Sequence, residues 1–325
     1  MALTAYYVDS DIGTDTGAGT SGDPYGNIQH CLDTITRDST NGDIIYGKGS
    51  ETLGGALSFA TYGTPSKADR LVLSRWDADW TLTAQNSSTA IIASAVSWVD
   101  YLDIIFDGNS CTTTSTIDAA INEFKGCTFR DSAYNSNNGM VNCSGNTTRI
   151  VGCSFDDMPY PLRIGGDCFI KGNDFRGYTG YIYLQGAHNR FIGNTVDASG
   201  GTGARGVYCT NDYNHISGNS FLGSASTVPL IDLSSSAQAN TVSNNLCEGA
   251  SGTGGKGIYI QAAGNVAYGN ACYNNTTDYD LHANTTFQDD NESLGASPFA
   301  KSGSNTFANR GAYFAPVDTG NVWGS

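Results

Sequence analysis

The sequence predicts an all-β solenoid, in which short parallel strands stack coil upon coil around one continuous core. Three observations indicate this fold class. A motif recurs at intervals of 20 to 26 residues, a second short strand precedes each copy, and Gly and neutral polar residues replace much of the usual charge. Such intervals are too short for a repeat of two full helices.

The recurring motif centres on a hinge residue, which is Gly in most copies. The hinges lie at Gly126, Gly152, Gly172, Gly193, Gly218, Asn244 and Gly269. Three residues after each hinge comes a side chain that we predict to point into the core: Phe129, Phe155, Phe175, Val196, Phe221, Cys247 and Cys272. The residue directly after the hinge is predicted to form a structural ladder of hydrogen-bonded amides and to support a tight turn with left-handed φ: Asn173, Asn194, Asn219, Asn245 and Asn270.

A second short strand precedes each copy of the motif. It alternates apolar, variable and apolar residues, which is the pattern of a strand with one buried face. Three short strands in a unit of this size cannot pair with one another, so each is expected to pair in parallel with the same strand one coil later. The second strands are predicted at residues 141–143, 162–164, 182–184, 207–209, 231–233, 258–260 and 279–281.

The start of the chain carries the signals of a short amphipathic helix in residues 27–35. Asp23-Pro24 precedes it as a start signal, and its apolar residues follow helical spacing at Ile28, Cys31, Leu32 and Ile35. We predict that this helix caps the first coil, where apolar side chains and strand edges would otherwise be exposed to water.

The repeat, the hinge columns and the cap resemble the right-handed parallel β-helix (pectate-lyase-like) superfamily over at least residues 96–281. The resemblance implies a single-stranded right-handed parallel β-helix with a short N-terminal capping helix. The expected organisation is an N-terminal segment and cap in residues 1–45, the β-helix in 46–281 and a C-terminal cap or docking tail in 282–325.

Charge excludes two classes of partner. The chain has 16 Lys and Arg against 31 Asp and Glu, which gives a net charge of −15, and its pI is about 4.4. Binding to nucleic acid or to an anionic membrane needs clustered positive charge, so we expect neither. Apolar runs also stay short of the ~18 residues that cross a bilayer, so no membrane insertion is expected.

The nine Cys are scattered over the chain and stand in apolar contexts, which indicates buried thiols rather than a disulfide framework. The first residues lack the basic and apolar segments of a signal peptide. We therefore expect synthesis in the cytoplasm without a signal peptide, and release from the cell by lysis.

Catalytic signatures of the resembled superfamily are incomplete. The polygalacturonase-like hydrolases carry four short motifs, of which only an Asp pair, Asp156-Asp157, occurs before the C-terminal region, and Gly-His-Gly does not occur. The segment from Asp9 to Asp15 lacks the bidentate Glu of a calcium loop, and no Cys pair has zinc spacing. No metal, no cofactor and no definite catalytic residue are expected.

The outward residues of the second strands form the best candidate site. We predict that they stack on one face at the strand spacing of about 4.8 Å. They suit a subunit contact or plain stacking between coils, glycan binding, or acid/base chemistry on a sugar. The candidates are Arg163, Tyr183, Tyr208, Asp232 and Tyr259.

These observations favour a virion structural protein of a tailed phage. It would be a capsid-decorating or spike β-helix, expected to be a homotrimer that contacts other virion proteins through the tail and binds host surface glycans. The location would then be the virion, outside the cell after lysis. The alternative is a polysaccharide lyase or hydrolase that acts on cell-surface polysaccharide. A surface adhesin is a weaker third interpretation, because adhesins need an export signal.

Overall fold

Equivalent short strands of successive coils stack in parallel into three columns, which we call files A, B and C. In the coils that follow the long N-terminal strands, a complete coil contributes one strand to each file. The computed structural model describes residues 3–85, 90–92, 97–112, 117–118, 122–133, 139–143, 147–201, 203–223, 227–288, 291–293, 299–302 and 307–308. Within each coil the chain passes through file C, then file A, then file B, and each strand pairs with its equivalent in the next coil. The predicted solenoid is confirmed.

File A contains the strands that precede the hinge: Glu123–Lys125, Arg149–Val151, Phe169–Lys171, Arg190–Ile192, His215–Ser217, Thr241–Ser243, Val266–Tyr268, Thr286–Gln288 and Phe307–Ala308. File B contains those that follow it: Thr128–Ser132, Ser154–Asp156, Asp174–Arg176, Thr195–Asp197, Ser220–Leu222, Leu246–Glu248, Ala271–Tyr273 and Glu292–Ser293. File C contains the seven predicted second strands, observed at Val141–Cys143, Leu162–Ile164, Ile182–Leu184, Val207–Cys209, Ile231–Leu233, Lys256–Ile260 and Thr277–His282. Two further strands lie at its ends, Ile117–Asp118 and Phe299–Ser302.

Longer strands form the N-terminal coils. Thr4–Asp9 pairs in parallel with Asp43–Leu53, which pairs with Leu71–Ala84. The last of these is long enough to pair with both Val99–Leu102 and Ile105–Cys111, so it serves the start of file A and of file B together.

The capping helix runs from Ile28 to Thr34. The side chain of Asn27 accepts a hydrogen bond of 2.7 Å from the backbone N–H of His30, which satisfies one of the free donors of the first turn. Ile28, Cys31 and Leu32 are buried against the first coil, as the helical spacing predicts. This is the only helix among the described residues.

The inward column fills the core as predicted. Its members are at most 1% exposed, and they are Phe129, Phe155, Phe175, Val196, Phe221, Cys247 and Cys272. Ring centroids lie 4.7 Å apart for Phe129 and Phe155 and 4.5 Å for Phe155 and Phe175. Because the strands stack in register, each ring lies on its equivalent in the next coil. All nine Cys are buried thiols, which confirms the expectation from their contexts.

The Asn ladder also forms. In Asn219, Oδ1 accepts from the backbone N–H of Asn194 at 2.8 Å, and Nδ2 donates to Oδ1 of Asn245 at 2.9 Å. The left-handed backbone of the tight turn lies at the hinge, where φ is 53–65°, and the ladder residues, all described, do not adopt it. The hinge Gly meets the steric demand of the turn, and the Asn after it supplies only hydrogen bonds.

A second Asn ladder runs beside the first, at the start of four consecutive copies of the motif. The backbone N–H of Asn189, Asn214 and Asn240 donates to the side-chain oxygen of the Asn one coil later, at 2.7–2.9 Å, ending at Asn265. These side chains are at most 1% exposed. The two ladders satisfy buried backbone donors at both bends that flank file A.

The predicted boundaries differ from the observed stacking. Parallel pairing already begins at Thr4–Asp9, inside the range 1–45 assigned to the N-terminal segment and cap. It also continues past position 281, because Thr286–Gln288 and Phe299–Ser302 pair with the preceding coil. The part of the predicted docking tail from 309 to 325 lies outside the described residues. Within the described chain, no helix has the length and apolarity to cross a membrane.

Candidate functional site

The outward residues of file C lie in register on one face, as predicted; Asp232 is buried and the others are partly exposed. Cα partners pair in sequence from one coil to the next, so six consecutive coils contribute one residue each. At the usual strand spacing the six span about 24 Å along the axis. We call this surface the file C face, and its residues are Arg163, Tyr183, Tyr208, Asp232, Tyr259 and Asp280.

A cluster of Tyr rings forms the first part of the file C face. Tyr183 and Tyr208 stack with ring centroids 5.7 Å apart and an interplanar angle of 16°. Tyr181 packs edge-on against both, at 5.8 Å and 5.4 Å, and Tyr160 contacts Tyr181 at 5.1 Å. The four rings are partly exposed, so they present apolar surface and hydroxyl groups to solvent together.

Arg205 joins this cluster to Asp232. Its guanidinium lies 4.8 Å from the ring centroid of Tyr208, and its Nη1 lies 3.0 Å from Oδ2 of Asp232. Nε2 of Gln261 donates to the other carboxylate oxygen of Asp232 at 2.9 Å. Both oxygens of this buried carboxylate therefore have a partner.

The same arrangement recurs two coils later. Nζ of Lys256 lies 3.5 Å from the ring centroid of Tyr259 and 2.6 Å from Oδ2 of Asp280. Each triad thus consists of a cation, a Tyr and the Asp that follows that Tyr on the next coil. We call them the Arg205 triad and the Lys256 triad.

The backbone around Arg205 is held on both sides. Its N–H donates to the carbonyl of Gly180 at 2.8 Å, and its own carbonyl accepts from Oη of the buried Tyr178 at 2.8 Å. Gly206 follows, where an added Cβ would lie 2.3 Å from the carbonyl oxygen of Leu230. This close packing directs the side chain of Arg205 over the strand face.

Burial controls the protonation of the site. The pKa of Asp232 is raised by burial, although Arg205, Gln261 and Lys256 oppose the shift. The pKa of Tyr208 is raised as well, first by burial and then by the charge of Asp232. Tyr208 therefore keeps its phenolic proton at neutral pH and can donate it.

The structure brings the candidate residues together as two neighbouring pairs. Tyr208 and Asp232 are neighbours in register, and so are Arg163 and Tyr183. Nε of Arg163 donates to Oε1 of Gln185 at 2.6 Å. Arg163 stands three coils from Asp232, about 14 Å at the strand spacing, so the two cannot act on the same bond.

The cations of the triads were missed by the sequence-based prediction. A signal for them exists, because residues 205–209 read Arg-Gly-Val-Tyr-Cys and residues 256–260 read Lys-Gly-Ile-Tyr-Ile. In both segments the basic residue precedes the outward Tyr by three positions. The sequence gives no comparable signal for the other residues of the site, because no recurring offset from an outward Tyr marks Tyr160, Tyr181 or Gln261.

One cavity lies away from the file C face. A cleft of about 520 Å³ near the N-terminal coils is lined by Asp9, Asp11, Lys48, Asp77 and Asp79, among others. Nζ of Lys48 lies 3.1 Å from Oδ2 of Asp9, inside the cleft. The file C face is an open surface, which suits an extended polymer better than a small molecule. The described residues include no group of three or more His, Cys, Asp or Glu that could hold a metal ion.

Comparison with known proteins supports the fold only. No family model matches the sequence, and no curated protein matches it significantly. The chain is similar in structure to a GH136 lacto-N-biosidase from Eubacterium ramulus, with a TM-score of 0.59, 9% identity, and coverage of 93% of this chain and 67% of that one.

Two further solved structures have comparable likeness. The periplasmic alginate epimerase AlgG gives a TM-score of 0.55 at 14% identity, over 83% of this chain and 68% of that one. XylC in complex with xylose gives a TM-score of 0.54 at 8% identity, over 89% of this chain and 75% of that one. At these identities the likeness shows a shared fold, and it confirms that this chain is a right-handed parallel β-helix.

Proposed function

We propose that the protein binds a polysaccharide along the file C face and cleaves it, as a polysaccharide lyase or glycoside hydrolase. The observation that carries this proposal is the repetition of the cation–Tyr–Asp triad on one partly exposed face. Stacking of the coils alone does not require a triad, because the coil that contains Arg163 has a different set of outward groups.

The two triads suit a linear glycan. A Tyr ring can pack against the C–H face of a pyranose, while the neighbouring cation and carboxylate can hydrogen-bond to its hydroxyl groups. Tyr208 and Tyr259 are two coils apart, about 10 Å at the strand spacing. That distance is close to the length of two sugar units in an extended chain.

The Arg205 triad is the better candidate for chemistry. Tyr208 retains its proton at neutral pH, so its hydroxyl can protonate the departing glycosidic oxygen as the C–O bond breaks; a water molecule that adds to the anomeric carbon then returns a proton to the phenolate. The guanidinium of Arg205 beside it can stabilise that transient phenolate. Because both oxygens of Asp232 have partners, we assign Asp232 the role of positioning Arg205.

The names of the similar structures agree with this class of function. They are a lacto-N-biosidase, an alginate epimerase and a protein in complex with xylose, and each name refers to a sugar. The similarity therefore supports the alternative predicted from the sequence more than it supports the virion role.

Assays for new reducing ends and for unsaturated products, on a panel of capsular and algal polysaccharides, would test the proposal. We expect Tyr208→Phe to keep most of the glycan affinity and to lose cleavage, because the ring remains and the proton donor is removed. Tyr213→Phe is the matched control, since Tyr213 is 60% exposed and lies outside the file C face. Absence of cleavage on every substrate by the wild-type protein would contradict the enzymatic part.

The virion structural role, the homotrimer and the location outside the cell after lysis stay predictions. No feature of the described residues favours them over the triads. Sedimentation of the purified protein would test the trimer, because a mass near the 34.1 kDa of one chain would contradict it.

A further inference from the structure

A second surface, on file A, carries an unusual concentration of positive charge. Four consecutive coils each present one exposed cation there, and the cation alternates between the two outward positions of the strand. We call this surface the basic face, and its cations are Lys125, Arg149, Lys171 and Arg190.

The other outward position on three of these coils holds an apolar side chain. Val151, Phe169 and Ile192 occupy it, each partly exposed. The guanidinium of Arg149 lies 5.1 Å from the ring centroid of Phe169 on the next coil. On the basic face, cations and apolar groups therefore alternate from coil to coil along the axis of the solenoid.

Three of the four cations lack an acidic partner. Among the described residues, no carboxylate lies within ion-pair distance of Lys125, Lys171 or Arg190. Arg149 differs, because its Nε lies 3.6 Å from Oε2 of Glu123 at the lower edge of the face. The protein has 31 acidic residues and only 16 basic ones, yet three of its cations lie on this one face without an acidic partner in the described part of the chain.

Coil stacking does not require these charges. Two coils beyond Arg190, the strand Thr241–Ser243 carries hydroxyl side chains at the same positions and pairs with the same register. The positive charge of the basic face also affects the pKa of a neighbouring residue. The pKa of His215, on the coil after Arg190, is lowered by burial and by the charge of Arg190.

We propose that the basic face binds an acidic polysaccharide, at a site separate from the file C face. Four cations along about 14 Å of axis match the repeated carboxylates of a linear polyanion. All four lie within roughly two Debye lengths at physiological salt, so their attractions combine locally despite the net charge of −15. The apolar groups between them can take the C–H faces of the sugar rings.

Calorimetric titration with a galacturonate oligomer tests this proposal, with the fully methyl-esterified oligomer as the uncharged probe. The test variant is the triple substitution Lys125→Ser, Lys171→Ser, Arg190→Ser. The control triple is Lys67→Ser, Arg75→Ser, Arg176→Ser, which removes three exposed cations elsewhere and changes the net charge equally. Each titration is repeated in an Arg205→Ala, Lys256→Met background, in which both triads have lost their cation, so that binding at the file C face is not counted.

We expect the test triple to weaken binding of the acidic oligomer at least tenfold in both backgrounds. The control triple should change it less than twofold, and added salt should weaken the wild-type affinity. Equal effects of the two triples, or equal affinity for the methyl ester, would overturn the proposal. So would tighter binding of single-stranded DNA, or a wild-type dimer in sedimentation that the test triple abolishes, because the face would then serve a different partner.

Discussion

Arg205 and Asp232 form an ion pair that links two neighbouring coils. Nη1 and Oδ2 lie 3.0 Å apart, and the side chain of Asp232 is 4% exposed while that of Arg205 is 28% exposed. A carboxylate buried to this degree depends on its partner, because water cannot replace the lost interaction. The pair therefore connects the stability of the solenoid with the geometry of the proposed site.

Replacement of Arg205 should make stability depend on pH through Asp232. The pKa of Asp232 in the folded protein lies above its unfolded value because of burial. Such a group contributes stability below its unfolded pKa, and this contribution is lost as pH rises through the folded pKa. Arg205→Ala removes a partner that opposes the shift, so we expect a loss of about 3 kcal/mol at neutral pH, and a smaller one in acid.

Urea unfolding of Arg205→Ala at mildly acidic and at neutral pH measures this difference. The double variant Arg205→Ala, Asp232→Asn is the control, because it removes the titrating group. A pH dependence that persists in the double variant would show that Asp232 is not the cause.

The Lys256 triad should act in binding and not in the chemical step. Tyr259 lies two coils beyond Tyr208, so a sugar held there is remote from the bond that would be cleaved. Lys256→Met should raise KM about tenfold, equivalent to ~1.4 kcal/mol of binding, with kcat unchanged. Lys67→Met, at an exposed site outside the face, is the control. A fall in kcat for Lys256→Met would place the Lys256 triad at the reacting bond instead.

An Asn of the ladder should contribute far more to the free energy of unfolding than an exposed Asn does. Asn219 makes four hydrogen bonds within the core: its side chain accepts from both nitrogens of Asn194 and donates to the carbonyl of Phe191 and to Oδ1 of Asn245. Asn219→Ala leaves several buried groups without partners, and we expect a loss of about 3 kcal/mol in the free energy of unfolding.

Chemical denaturation checks this value, with Asn211→Ala as the matched control at an exposed position on the same coil. The control should change stability by less than about 0.5 kcal/mol. Similar losses for the two variants would mean that the ladder is not a major source of stability.

Glu51 should make the capped end of the solenoid less stable as pH rises. Burial raises the pKa of Glu51 to about 7, although the backbone N–H of Ile28 and the hydroxyl of Ser10 donate to its carboxylate. Because the folded pKa is above the unfolded value, the stabilising contribution is complete below about pH 4.5 and is lost as pH rises through about 7. The loss is up to about 3 kcal/mol.

Hydrogen exchange of the amides in the capping helix, followed across this range of pH, measures the effect locally. Glu51→Gln should remove the change in protection, because an amide has the same shape and does not titrate. Glu123→Gln is the control, at a partly exposed carboxylate on file A. Unchanged pH dependence in Glu51→Gln would contradict the assignment.

The sequence by itself determined the solenoid and its internal columns. Residues such as Phe155 and Asn219 recur at a fixed offset from the hinge, and parallel pairing in register turns an equal offset into a vertical contact. A side chain in such a column contacts the residue at the same offset in the next coil, so the repeat in the sequence predicts its partner. The register of Tyr208 with Asp232 on the outer face follows from the same rule.

Only the tertiary structure decided which side chains from outside the strands join the file C face. Arg205 and Tyr181 lie in the connections from file B to file C, which differ in length from coil to coil, and the offset that Arg205 shares with Lys256 does not show what either cation contacts. Their positions depend on close packing of the backbone, such as that of Gly206 against Leu230, and on long side chains that reach across coils. A periodic pattern describes contacts between equivalent residues, whereas this site is made between residues that are not equivalent.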